Sequence, residues 1–195
     1  MTSPETALAD FAQTHGRTML DLAWRSLRHG LETGTPLPAD QAACPPALTG
    51  QQGACFVTLK HRDELRGCIG SAQAWRSWAE DVCANAFQAA FRDPRFPPLR
   101  AAETEHLRLS VSLLSAPEAM TFDSEASLLA QLRPGIDGLI IEDGRDRALF
   151  LPSVWESLPD PQDFLDHLRD KAGLHPRHWS PRFRAQRFVS VEVKE

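Results

Sequence analysis

Tyrosine is absent from this chain of 195 residues, and so is any excess of basic charge. Lys plus Arg number 21 against 26 Asp plus Glu, a formal net charge of -5. The broad basic footprint behind non-specific nucleic-acid binding is therefore missing, which leaves only local phosphate contacts open. No apolar run approaches the ~20 residues that a bilayer span needs, so no membrane association is expected. The first residues, Met1 to Phe11, lack both the basic and the apolar region of a secretory signal. Cys44, Cys55, Cys68 and Cys83 show no CxxC or metal-finger spacing. Together these absences predict reduced thiols and a cytoplasmic protein. Also missing are a phosphate-cradling glycine loop, a nucleophile elbow and a zinc-protease helix. The acids Glu103, Glu105 and Glu192 are scattered and suggest no two-carboxylate chemistry.

What is present is ordinary globular material, 42% hydrophobic and 24% charged. The length suits one domain, with room for two lobes. Ser3-Pro4-Glu5 reads as a capped helix start, and the helical spacing that follows is expected to stop at Gly30. Residues 33–50, rich in Pro, Gly and Ala, read as a long irregular segment. Ala54 to Lys60 and Leu65 to Ile69 read as a hairpin. A helical face runs from Trp75 and Trp78 to Ala90 and ends before Pro94. His106 to Ser115 alternates, with Leu107, Leu109, Val111 and Leu113 on one side and His106, Arg108, Ser110 and Ser112 on the other. A short helix from Ser124, a hairpin about Asp143-Gly144, a helix from Asp160-Pro161 to Gly173 and a last strand over Val189 to Val193 complete the order. Hairpins outnumber crossovers, so the expected class is α+β with a mostly antiparallel sheet flanked by helices.

The strand Leu65-Arg66-Gly67-Cys68-Ile69-Gly70 resembles the signature hexapeptide of the AMMECR-type family, called AmmeMemoRadiSam system protein A in bacteria. The strand Gly53 to Lys60 before it, the block Ala89 to Leu99 after it, and later blocks around Ser110 to Leu114, Gly138 to Ile141, Phe150 to Pro152 and Lys171 to Leu174 are similar in the same order. The resemblance covers nearly the whole chain, so residues 1–195 are expected to form a single AMMECR-type domain. It implies a compact α+β unit with a larger and a smaller lobe and a cleft between them. It also implies two partners, a Memo-like protein and a radical S-adenosylmethionine protein. It assigns no reaction and no cofactor, and a role in RNA or base modification is suggested by association alone.

Within the hexapeptide, strand alternation places Leu65, Gly67 and Ile69 on one face and Arg66, Cys68 and Gly70 on the other. On that pattern Arg66 and Cys68 project together, with Cα atoms roughly 6.5–7 Å apart. The functional reading is a thiol, Cys68, beside an anion-binding guanidinium, with Gly70 admitting a ligand. The plain reading is a buried Cys used as a small hydrophobe and glycines that permit packing or a bend. Asp93-Pro94-Arg95 reads either as a paired, stiff turn or as a second anion fork, which beside Arg66 would make one pocket. Thr58 is either a strand residue or a hydroxyl donor to the same site. Neither His61, at the other end of its strand, nor His106 is placed by the sequence as a base for Cys68. His175 and His178 flank Pro176, which spoils a helical metal-ligand pair. Trp75, Trp78, Trp155 and Trp179 read as core anchors. Two functions stand side by side: an enzyme or enzyme subunit acting on an anionic small molecule, and a non-catalytic adaptor for the two partners. A local RNA-binding patch is the weakest reading.

Overall fold

The computed structural model describes residues 3–195. In chain order the elements are α1 (Pro4–Thr33), α2 (Pro46–Gly50), β1 (Gln52–His61), β2 (Glu64–Gly70), β3 (Arg76–Ser77), α3 (Trp78–Phe91), β4 (Leu107–Leu114) and β5 (Glu118–Ala119). They continue with α4 (Glu125–Gln131), β6 (Gly138–Asp143), β7 (Asp146–Phe150), α5 (Pro161–Lys171), β8 (Arg184–Phe188) and β9 (Ser190–Lys194). The chain divides into two compact units, one running to Leu114 with Val191–Glu195 added, the other Ser115–Ser190. No helix among the described residues is long and apolar enough to cross a membrane. The fold is α+β, and β1 pairs antiparallel with β2, β3 and β4.

In the first unit the sheet order is β2-β1-β4-β9, with β3 on the start of β1. The alternation read from the sequence holds along β4, where Leu107, Leu109, Val111 and Leu113 are buried, and β1 matches it with Cys55, Val57 and Leu59 buried. Helices α1 and α3 supply the opposing layer, through Met19, Leu22, Ala23 and Leu27 on α1 and Val82, Ala86 and Ala89 on α3. Helix α1 begins at its expected cap, whereas α3 starts at Trp78, three residues after the expected Trp75. Ser3 accepts from the Thr6 N–H, and Ser77 with Glu80 forms a reciprocal capping box. The end of α1 differs from expectation. It passes through Gly30 and stops at Gly34, which takes the left-handed conformation (φ 74°). Gly30 serves packing instead, because the rings of Phe87 and Phe91 lie within 2.5–3.1 Å of where a Cβ would sit. Residues 33–50 are not wholly irregular, since they hold a 3-10 turn at Ala39–Gln41 and α2. Trp75 also departs from the expected core role: it is 65% exposed and stacks against the Arg76 guanidinium.

A buried carboxylate organises the entry to this sheet. Asp81 accepts from the Cys55 N–H at 2.8 Å, Asn85 Nδ2 at 2.9 Å, Ser71 Oγ at 2.7 Å and Arg76 Nε at 2.8 Å. It thereby fixes β1, α3 and the segment after Gly70 to one point. An Asp81→Asn side chain would turn two of those acceptor sites into donors facing donors and leave Arg76 without its counter-charge. The expected loss is about 3 kcal/mol or more in chemical denaturation. A variant as stable as the parent would contradict this account.

The second unit has the sheet order β5-β8-β6-β7 with every recorded pairing antiparallel. Strand β8 was not visible in the sequence, because its run Arg184-Ala185-Gln186-Arg187-Phe188 carries no clean alternation of apolar residues. Its core includes Leu139, Ile141, Phe164, Leu168 and Phe183, with Trp155 stacked on Phe164 at 3.8 Å. Buried Arg169 reaches Glu125 at 2.9 Å and the Pro176 carbonyl at 2.8 Å, and its guanidinium faces Trp179 and Phe183. His178 is taken up by Asp143, Nε2 to Oδ2 at 2.6 Å, and Ser180 donates to the same oxygen.

Candidate functional site

Strand β2 lies at the sheet edge, and its pairing with β1 contains a bulge. Cys68 stands opposite Thr58, and Gly67 opposite Leu59. Lys60 then pairs with Leu65, so Arg66 is the extra residue. Beyond the bulge the faces are reversed relative to simple alternation. Leu65 emerges on the Lys60 side and is 44% exposed, whereas Arg66 turns inward and is 8% exposed. Arg66 and Cys68 therefore do not project together as strand periodicity predicts.

Arg66 is occupied by groups of its own chain. Its Nε donates to Glu103 Oε1 at 2.7 Å, and its Nη2 to Glu103 Oε2 at 3.2 Å and to the Pro97 carbonyl at 2.9 Å. This fork holds the Glu103 carboxyl down to about 2, chiefly through the Arg66 hydrogen bonds. Glu103 was one of the scattered acids. Nothing local in the sequence marks it as the partner of a residue 37 positions away.

Asp93 and Arg95 form a clip. Arg95 binds Asp93 bidentately, Nε to Oδ1 at 3.0 Å and Nη2 to Oδ2 at 2.7 Å. Asp93 Oδ2 accepts from the Cys68 N–H at 2.9 Å, and Arg95 Nη2 donates to the Cys68 carbonyl at 3.2 Å. The outward-facing backbone groups of an edge-strand residue are thus satisfied by two side chains in place of another strand. The Arg95 fork, with the Cys68 and Arg95 N–H groups, holds Asp93 well below the usual carboxylate range. Phe96 lies between the two arginines, 5.9 Å from Arg66 and 5.5 Å from Arg95. Each guanidinium already has a carboxylate partner, so the expected Arg66–Arg95 anion pocket is replaced by two internal ion pairs.

The glycines of the hexapeptide are filled from opposite sides. A Cβ on Gly67 would lie 2.1 Å from the Ala89 carbonyl oxygen, so this residue sets how closely α3 approaches the sheet. At Gly70 the same position is covered by the Phe56 ring, 2.2 Å away, and no ligand space is left there.

Cys68 is half-buried, and its sulfur accepts a hydrogen bond from Thr58 Oγ1 at 3.3 Å. Cys44 is half-buried as well, and burial pushes its thiol up. Cys55 and Cys83 are buried, and desolvation pushes both up, Cys83 to about 12. The face that holds Cys68 and Thr58 is opposite to the helical layer. Register places Ser110 beside Thr58, Arg108 beside Lys60 and Ser112 beside Phe56. The result is a row of Cys68, Thr58 and Ser110 across three strands, with Lys60 and Arg108 in the next row, about 6.5–7 Å along. A hollow of about 210 Å³ opens here, lined by Thr58, Ser110, Lys60 and Arg108 together with β9 residues. His61 and His106 come together at the end of the sheet, ring centroids 6.1 Å apart. His61 is three residues from Thr58, about 10 Å along the strand, too far to serve as a base for Cys68 without movement.

Comparison with known proteins agrees with this architecture. The family model AMMECR1 matches residues 20–193. A protein of Methanothermobacter thermautotrophicus is 34% identical over 188 residues, 92% of this chain and 94% of its own length. One from Methanocaldococcus jannaschii is 38% identical over 162 residues, 76% of this chain and 79% of its own. The crystal structure of an uncharacterised protein from Pyrococcus horikoshii is similar with a TM-score of 0.83 at 32% identity, covering 91% of this chain and 89% of that one. The chain belongs to the AMMECR1 family.

Proposed function

We propose that the protein is an enzyme or enzyme subunit that holds an anionic small molecule on the open face of the first unit's sheet, with Cys68 as the group that reacts with it or orients it. One observation carries this reading. Cys68 is the thiol whose backbone N–H and C=O are held by Asp93 and Arg95, while the residue stays half-buried and its sulfur accepts from the Thr58 hydroxyl. Positioning of this kind is what a reacting atom needs and what a packing residue does not. In this reading Thr58 donates to the sulfur, Asp93 and Arg95 are positioning residues, and Arg66 and Gly67 shape the strand that carries them. A Memo-like protein and a radical S-adenosylmethionine protein are the partners proposed, in RNA or base modification or in another reaction of that system.

A second reading is favoured by a different observation. No histidine or carboxylate hydrogen-bonds the Cys68 sulfur among the described residues, so the face would suit a non-catalytic adaptor for the same partners. Alkylation by iodoacetamide between pH 6 and 9, mapped by mass spectrometry, separates the two. The expected result is faster modification of Cys68 than of half-buried Cys44 in the folded protein, with Cys55 and Cys83 protected until unfolding. Cys68→Ser should remove that adduct and leave stability within about 1 kcal/mol of the parent. A Cys68 as inert as Cys83 would overturn the thiol's role. Co-purification with both partners by a Cys68→Ser variant that keeps full biological function would favour the adaptor.

A further inference from the structure

We infer that Lys60 and Arg108 form a subsite for a phosphate group, so that the ligand of this face is a phosphate-bearing small molecule. The inference rests on the reading of the face as a ligand site and adds the chemistry of what it holds. Lys60 and Arg108 stand directly opposite each other on β1 and β4, both exposed. Like charges in that relation destabilise a sheet pair. Neither has a hydrogen-bond or ion-pair partner among the described residues. Both line the hollow that Thr58 and Ser110 floor with hydroxyls.

Asp63, Glu192, Lys194 and Glu195 also line the hollow. Glu195 accepts from Trp24 Nε1 at 2.7 Å and from the Leu109 N–H at 3.3 Å. Glu192 and Lys194 face each other at 4.0 Å. Asp63, on the exposed β1–β2 turn with φ 68°, adds a carboxylate to the rim that has no hydrogen-bond or ion-pair partner among the described residues. Lys60 and Arg108 are the two cations that stand side by side on adjacent strands without partners among the described residues, with the Ser110 hydroxyl beside them. A phosphate dianion matches both charges and has oxygens enough to reach lysine, guanidinium and hydroxyl at once. A carboxylate offsets only one charge. Thr58 joins this subsite to the thiol, since its hydroxyl is both in the hollow and bonded to Cys68.

Thermal unfolding and calorimetry with inorganic phosphate test the inference, at ionic strength matched with chloride and with acetate as a second arm. At tenfold excess over Kd, phosphate should raise Tm by about 3–5 °C. Lys60→Gln and Arg108→Gln should each weaken phosphate binding at least about tenfold. Relieved of the like-charge pair, each should be at least as stable as the parent in low salt without phosphate. Arg17→Gln, an equal change of net charge on exposed α1, should leave phosphate binding unchanged. The inference is overturned if phosphate does not bind above chloride, if acetate binds as well as phosphate, or if Arg17→Gln weakens binding as much as the two hollow variants. Protection of Cys68 from iodoacetamide is a separate readout: phosphate that binds without protecting the thiol supports the subsite and counts against the proposed role of Cys68.

Discussion

Gly67→Ala should be among the most damaging single substitutions in the chain, lowering stability by about 3 kcal/mol or more. The added Cβ meets a backbone carbonyl, that of Ala89, at 2.1 Å. A flexible side chain could swing aside, but a carbonyl inside α3 cannot move without shifting the helix that covers β1 and β2. Relief would require α3 to lift away from Val57 and Leu59, opening the core it seals. A drop of about 6–12 °C in Tm is expected, accompanied by loss of the Asp93 and Arg95 bonds to Cys68. Gly50→Ala is the matched control. Its Cβ would meet nothing within 4 Å, and it lies at the end of α2, so a change within about 0.5 kcal/mol is expected. A Gly67→Ala protein that melts with the control would show that the helix approach is not limited at this point.

Arg66→Ala should cost about 2–3 kcal/mol at neutral pH, at the lower end for a buried ion pair because Glu103 keeps some contact with water. The pH dependence gives the effect a signature. Glu103 is depressed from an ordinary 4.5 to about 2 in the folded protein. A carboxyl lowered on folding adds stability above its unfolded value, and that contribution is lost as pH falls through the folded value. The difference between parent and variant should therefore be full above about pH 5 and shrink steadily between about 4.5 and 2. Urea titrations across that range measure it directly. A difference that is absent at pH 7, or that grows on acidification, would return Arg66 to the role of a free cation available to ligand.

These two residues show where reading the sequence succeeds and where it stops. Gly67 was legible as a packing glycine because strand alternation places it between apolar neighbours on the helix side. Arg66, adjacent to it, was not. Strict alternation assigns Arg66 to the Cys68 face, but one extra residue in β2 against β1 reverses every assignment beyond it. A bulge is a property of two strands and their covering loop, and a single strand's pattern does not contain it. The same limit hid the anion-matched pair. The outward positions of Lys60 and Arg108 could each be read from their own strands, but their juxtaposition is a matter of register between strands far apart in sequence.

The sequence by itself determined the α+β class, the capped helix starts at Ser3 and Asp160, the hairpin at Asp143-Gly144 and the inward face of β4. Each depends on interactions within a few residues of chain, or on a periodicity that burial enforces everywhere along an element. Tertiary structure alone decided that α1 continues past Gly30, that Glu103 neutralises Arg66, that Asp93 and Arg95 hold the Cys68 backbone, and that Phe56 covers Gly70. Those outcomes come from packing between segments distant in sequence, where shape and charge are matched across space and leave no local mark.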